Sequence, residues 1–179
     1  MKILLNYFYQ LPLRSIVQCF LMLSLLFICI RHRFGHCRWL RRGIWITLCI
    51  WFSGTLWITM LSRTPGTAYS PELIPFHSYR KLLATGNAEI FRTNFMNVAL
   101  FYPAGLLSAS LIPEEWLRGR KLTSVVIVFA LFSCVVECAQ FCFSLGEPEV
   151  DDLIHNTLGA AVGTLPILFQ DSLLKPPRS

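Results

Sequence analysis

Residues 122–163 read LTSVVIVFALFSCVVECAQFCFSLGEPEVDDLIHNTLGAAVG, and this stretch decides the fold. From Leu122 to Leu145 the run is apolar apart from one charged residue, Glu137. It is long enough to cross hydrocarbon, which takes about 17–25 helical residues. The run breaks at Gly146, passes four carboxylates at Glu147, Glu149, Asp151 and Asp152, and turns apolar again. A carboxylate inside a membrane-length helix costs on the order of 2.5–3.5 kcal/mol, so Glu137 calls for a partner or a task. The pattern predicts two spans, 122–145 and 153–170, joined by an acidic turn.

Composition extends this reading to the whole chain. Over 179 residues, 54% are hydrophobic and 15% charged, and the mean hydropathy is +0.54. A soluble globule carries about 25% charge. Three further spans are expected at 15–30, 43–62 and 93–112. The expected fold is therefore all-α: a polytopic membrane helical bundle of about five transmembrane helices, in one membrane domain covering 1–179. The net charge of +6 belongs to topology and lipid headgroups rather than to nucleic acid. No small-x-small cleavage site follows Ile30, so the first span reads as retained.

With the N-terminus outside, the inner segments hold ten Lys and Arg and the outer segments six. The positive-inside rule favours that orientation, with the C-terminus cytoplasmic. The acidic turn and the long connection 64–93 then share the outer face. Within that connection, Tyr79 to Leu83 reads as a short helix lying along the membrane.

Several polar positions fall on predicted helices. Asn94, Asn97, Phe101, Gly105 and Ser108 recur at helical spacing, and Pro103 marks an expected kink. Glu137 and Gln140 share a face. Asp151 or Asp152 is placed to cap the last helix, with His155 and Asn156 one turn on. Asn97, Glu137, Gln140 and Asn156 are expected to form one interhelical hydrogen-bond cluster. Arg63, at the mouth of the second span, is either an interfacial anchor or a donor to that cluster. Gly159-x-x-x-Gly163 is a close-packing motif, used within one chain or between two copies. The seven cysteines form no C-x-x-C pair; Cys134, Cys138 and Cys142 read as small packing residues.

Three pieces stand in order: Asn97-x-x-x-Phe101-x-Pro103-x-Gly105, Glu137-x-x-Gln140, and Asp151-Asp152-x-x-x-Asn156-x-x-Gly159-x-x-x-Gly163, with Leu73-Ile74-Pro75-Phe76 upstream. Over residues 60–168 this set resembles the VanZ-like family of bacterial membrane proteins. It departs from the family where many members carry arginine or an aromatic ahead of the paired acids. The resemblance implies a multi-pass protein of the bacterial cytoplasmic membrane, in a family named for low-level resistance to teicoplanin-type lipoglycopeptides. The family's patterned positions fall here on Asn97, Glu137, Gln140, Asp151, Asp152 and Asn156, without settled roles.

Two functions follow as expectations. The first is a non-enzymatic envelope protein whose acidic outer face meets membrane lipid, a lipid-linked cell-wall precursor or a lipoglycopeptide. The alternative is an intramembrane enzyme acting on a lipid-linked substrate through Glu137, Asp152 and His155. No H-E-x-x-H metal signature and no serine nucleophile elbow is present, so no metal or cofactor is expected and the reading leans away from catalysis.

Overall fold

The computed structural model describes residues 12–35, 37–61, 64–66 and 70–174. These form six helices: α1 (Leu13–Phe34), α2 (Arg38–Leu56), α3 (His77–Thr85), α4 (Ala88–Leu111), α5 (Arg118–Cys142) and α6 (Val150–Leu174). A π-helical turn, Trp57–Leu61, continues α2. The chain divides into two compact units, Met1–Gly35, which holds α1, and His36–Ser179, which holds the other five helices.

The fold is all-helical, as the apolar periodicity requires. Three segments are long and apolar enough to cross a membrane: Leu13–Phe34, Arg38–Leu61 and Arg118–Cys142. α4 and α6 are as long, at 24 and 25 residues, but lie outside that set. The side chains of Asn94 and Asn97 on α4 and of Asp151, His155 and Asn156 on α6 face other protein elements. In hydrocarbon that is where such groups belong, because no water is present to satisfy them.

α4 and α6 form the most intimate helix pair. A Cβ at Gly105 would overlap the Ala160 carbonyl, and Cβ atoms at Gly159 and Gly163 would overlap the Val98 and Tyr102 carbonyls. Backbones this close require glycine, which is the small-xxx-small logic of membrane helix packing. The Gly159–Gly163 face is therefore occupied by α4 of the same chain. Beside it lies an aromatic core. Trp51 of α2 meets Phe101 of α4, and both Trp51 and Phe52 meet Phe129 and Phe132 of α5, with ring centroids 4.8–6.0 Å apart. The Trp51 indole donates to the Leu100 carbonyl at 3.0 Å, so its one polar atom is satisfied.

The end of α5 differs from expectation. The helix stops at Cys142, and the turn falls at Ser144 (φ 51°) rather than at Gly146. Leu145 N–H bonds the Gln140 carbonyl at 2.9 Å and Ser144 N–H bonds the Phe141 carbonyl at 3.2 Å. This is a Schellman closure with serine in the left-handed position usually given to glycine. Gly146 is left to shape the acidic turn that follows.

Candidate functional site

The long connection is stitched to the acidic turn by backbone bonds. Gly66 N–H donates to the Ser144 carbonyl at 2.8 Å, Glu72 N–H to Pro148 at 3.0 Å, and Val150 N–H to Glu72 at 3.1 Å. Glu72 and Glu149 form an isolated parallel bridge. These contacts bring residues 64–66 and 70–86, the acidic turn and the start of α6 to one end of the bundle.

Neither Asp151 nor Asp152 is the N-cap of the last helix. α6 begins at Val150, ahead of both, because the Val150 N–H is already held by Glu72. Asp151 instead caps a different helix. Its carboxylate accepts from the Phe76 N–H (2.5 Å), the Ser78 N–H (2.8 Å) and the Ser78 hydroxyl (2.5 Å). α3 has no cap of its own, so the carboxylate satisfies donors that its first turn would leave open. Phe76 sits at φ 60°, a conformation that is sparsely populated by bulky residues. Asn94 supports the arrangement by donating to the Ser78 hydroxyl at 2.9 Å. At its far end α3 stops on Gly86 (φ 65°), whose N–H bonds the Leu82 carbonyl.

Burial pushes the Asp151 carboxyl up, but the hydrogen bonds from Ser78 and Phe76 outweigh it and hold the group below its usual range. Glu149, in the turn, goes the other way. Burial raises it, the charges of Glu147 and Asp151 raise it further, and Lys81 and His77 only partly offset them.

The remaining positions each meet a defined partner. Asn97 donates to Asp152 at 2.6 Å. Asn156 donates to Ser133 on α5 at 2.9 Å. Gln140 donates to the Thr59 carbonyl at 3.1 Å, inside the π turn. Glu137 accepts from the Glu149 N–H at 3.2 Å and so holds the acidic turn from below. His155 Nε2 lies 2.8 Å from the Tyr79 hydroxyl, while its Nδ1 is buried without a hydrogen-bond partner. Glu137, Asp152 and His155 thus contact Glu149, Asn97 and Tyr79. Among the described residues no group of three or more His, Cys, Asp or Glu is arranged to hold a metal ion. Arg63 lies outside the described residues.

Beneath the turn is a cavity of about 310 Å³, lined by Leu73 from the long connection, Cys134, Cys138 and Phe141 of α5, and Val150 and Leu153 of α6. The Glu137 and Glu149 side chains also reach its wall. Cys134, Cys138 and Cys142 are exposed on α5 rather than packed in the core, which is filled there by Phe129, Ser133 and Val136.

Sequence reasoning missed a second polar site at the opposite end of the bundle. Lys121 is wholly buried and forms an ion pair with Asp171 at 2.5 Å, while also donating to the Ile112 carbonyl at 3.2 Å. Both residues lie one position outside the expected spans 122–145 and 153–170, but α5 and α6 extend to include them. The available signal was one residue of each sign at the ends of two apolar runs on one side of the membrane. The donors on α3 carried no signal, because two of the three are backbone N–H groups.

Fold and site together define an all-helical membrane protein whose tightly packed helices α4 and α6 carry polar side chains of the site. The chain matches the VanZ/LLP1 family model over residues 39–170 and belongs to that family. The match includes α2, which lies ahead of most of the motifs that carry the resemblance. No curated protein and no solved structure matches the chain.

Proposed function

We propose that this VanZ-like protein is a multi-pass protein of the bacterial cytoplasmic membrane, with its N-terminus outside and its C-terminus cytoplasmic. In this reading its acidic outer end takes up the lipid part of an envelope component and thereby lowers susceptibility to teicoplanin-type lipoglycopeptides. The observation that carries the reading is the apolar cavity under the acidic turn. A cavity of this size and lining suits a hydrocarbon chain, and ligand sites are commonly apolar with a few placed polar groups. The excess of Lys and Arg in segments at the other end supports the orientation.

The test is susceptibility to teicoplanin and surface binding of a fluorescent lipoglycopeptide in a Gram-positive host. Wild type is compared with Glu137→Ala, which releases the turn, and Leu153→Trp, which fills the cavity, all at matched membrane abundance. Wild type is expected to lower both binding and susceptibility, and both variants to lose the effect. A wild type that changes neither would overturn the proposal.

A further inference from the structure

The charges around the cavity mouth differ from its walls in a way that names a ligand class. The walls are apolar, and the Glu137 carboxylate is turned to the Glu149 N–H. At the mouth, Glu72 is paired with His77 at 3.4 Å and Asp151 is held by α3. That leaves Glu147, exposed next to the lining residue Pro148, and half-buried Glu149, with Lys81 and His77 as cationic neighbours. Among the described residues the acids at the mouth outnumber these cations, while the apolar interior disfavours any charge.

We propose that the cavity binds a single hydrocarbon chain bearing an ammonium head, entering from the bilayer. The chain lies among Leu73, Cys134, Cys138, Phe141 and Leu153, and the head sits at Glu147 and Glu149. An anionic head meets like charge at the mouth, and a hydroxyl head gains nothing from it. The raised carboxyl of Glu149 accords with this, since a bound cation would relieve the repulsion from Glu147 and Asp151. The inference rests on the cavity of the functional reading above and specifies what enters it.

Two wall residues are thiols, so occupancy can be read directly. The full chain is prepared with only Cys134 and Cys138 retained, the other five cysteines being serine, and placed in phosphatidylcholine nanodiscs. Labelling by a small methanethiosulfonate reagent is timed with dodecylamine, dodecanol or dodecanoate at equal membrane content. A form retaining only Cys142, which does not line the cavity, measures the effect of partitioning alone. Dodecylamine is expected to slow labelling about two- to fivefold more than dodecanol, the range of a partly exposed charge pair. Dodecanoate is expected to protect least. The double variant Glu147→Gln/Glu149→Gln, which removes both charges while keeping side-chain size and every apolar wall residue, is expected to erase the preference for the amine. Equal protection by all three heads, equal protection of Cys142, or a preference surviving in the double variant would each overturn the proposal. A head preference in the nanodisc with no lipoglycopeptide effect in cells defeats the functional reading alone; the reverse defeats this inference alone.

Discussion

The two ends of α6 solve the same problem in opposite ways. At the C-terminal end, Asp171 meets Lys121 in a buried ion pair, and the end is closed. At the N-terminal end, Asp151 spends its carboxylate on the N–H groups of a short helix, and Asp152, His155 and Glu137 each hold a separate element. The result there is a propped-open end with a cavity beneath it. One direct ion pair makes a seal, whereas several long-range hydrogen bonds build a frame. The difference suggests that the first end carries stability and the second carries function.

The largest expected effect is at the sealed end. Lys121→Ala leaves Asp171 buried beside a lost cation and should destabilise the protein by about 3–5 kcal/mol. The double change Lys121→Met/Asp171→Leu should restore most of it, because well-packed apolar replacements of a buried pair are often neutral or better. Thermal unfolding in mild detergent reads both. A double variant no more stable than Lys121→Ala would mean that the pair does more than close the end.

Asp151→Asn ranks next. It removes the charge that accepts three donors and turns an amide towards them, for a loss of about 1.5–3 kcal/mol. The damage should be local, with α3 released and the segment around residues 76–86 cut faster by protease while the rest of the bundle resists. Uniform loss across the bundle would contradict the frame. Tyr79→Phe removes only the bond to His155 and should cost about 0.5–1.5 kcal/mol, with the same local signature.

The smallest effect is Glu149→Gln, and its sign distinguishes the two acids. A raised carboxyl favours the folded state below its ordinary value of 4.5 and loses that contribution as pH rises through the shifted value. Glu149→Gln should therefore flatten the stability profile between 4.5 and the raised value and leave the protein equal or slightly firmer at neutral pH. Asp151, held low, contributes stability that is lost as pH falls below its ordinary 3.8, so Asp151→Asn should flatten the acid limb instead. Melting curves across pH separate the two.

The membrane class and the five long helices were legible because apolar length is a local property of sequence. The importance of Glu137, Asp151 and Asp152 was legible because charge beside hydrocarbon demands a partner. Which partner was not. Asp151 was expected on its own helix, since a cap is local, but the donors it meets lie about 75 residues earlier. Nothing in a spacing pattern identifies a backbone N–H as the recipient of a distant carboxylate. The partners met by Asn97, Glu137, Gln140 and Asn156 include Asp152, the Thr59 carbonyl, the Glu149 N–H and Ser133, which spacing along one helix does not reveal. Lys121 and Asp171 passed as solvated charges because their burial depends on two helices ending side by side.

The central claim is that the acidic end acts and the sealed end only holds. It is tested most directly by surface binding of a fluorescent lipoglycopeptide in a Gram-positive host, comparing Leu153→Trp with Lys121→Met/Asp171→Leu at matched membrane abundance. The account predicts that the cavity-filling variant binds like cells lacking the protein, while the sealed-end double variant behaves as wild type. Retained protection in Leu153→Trp with protection lost in the double variant would contradict it.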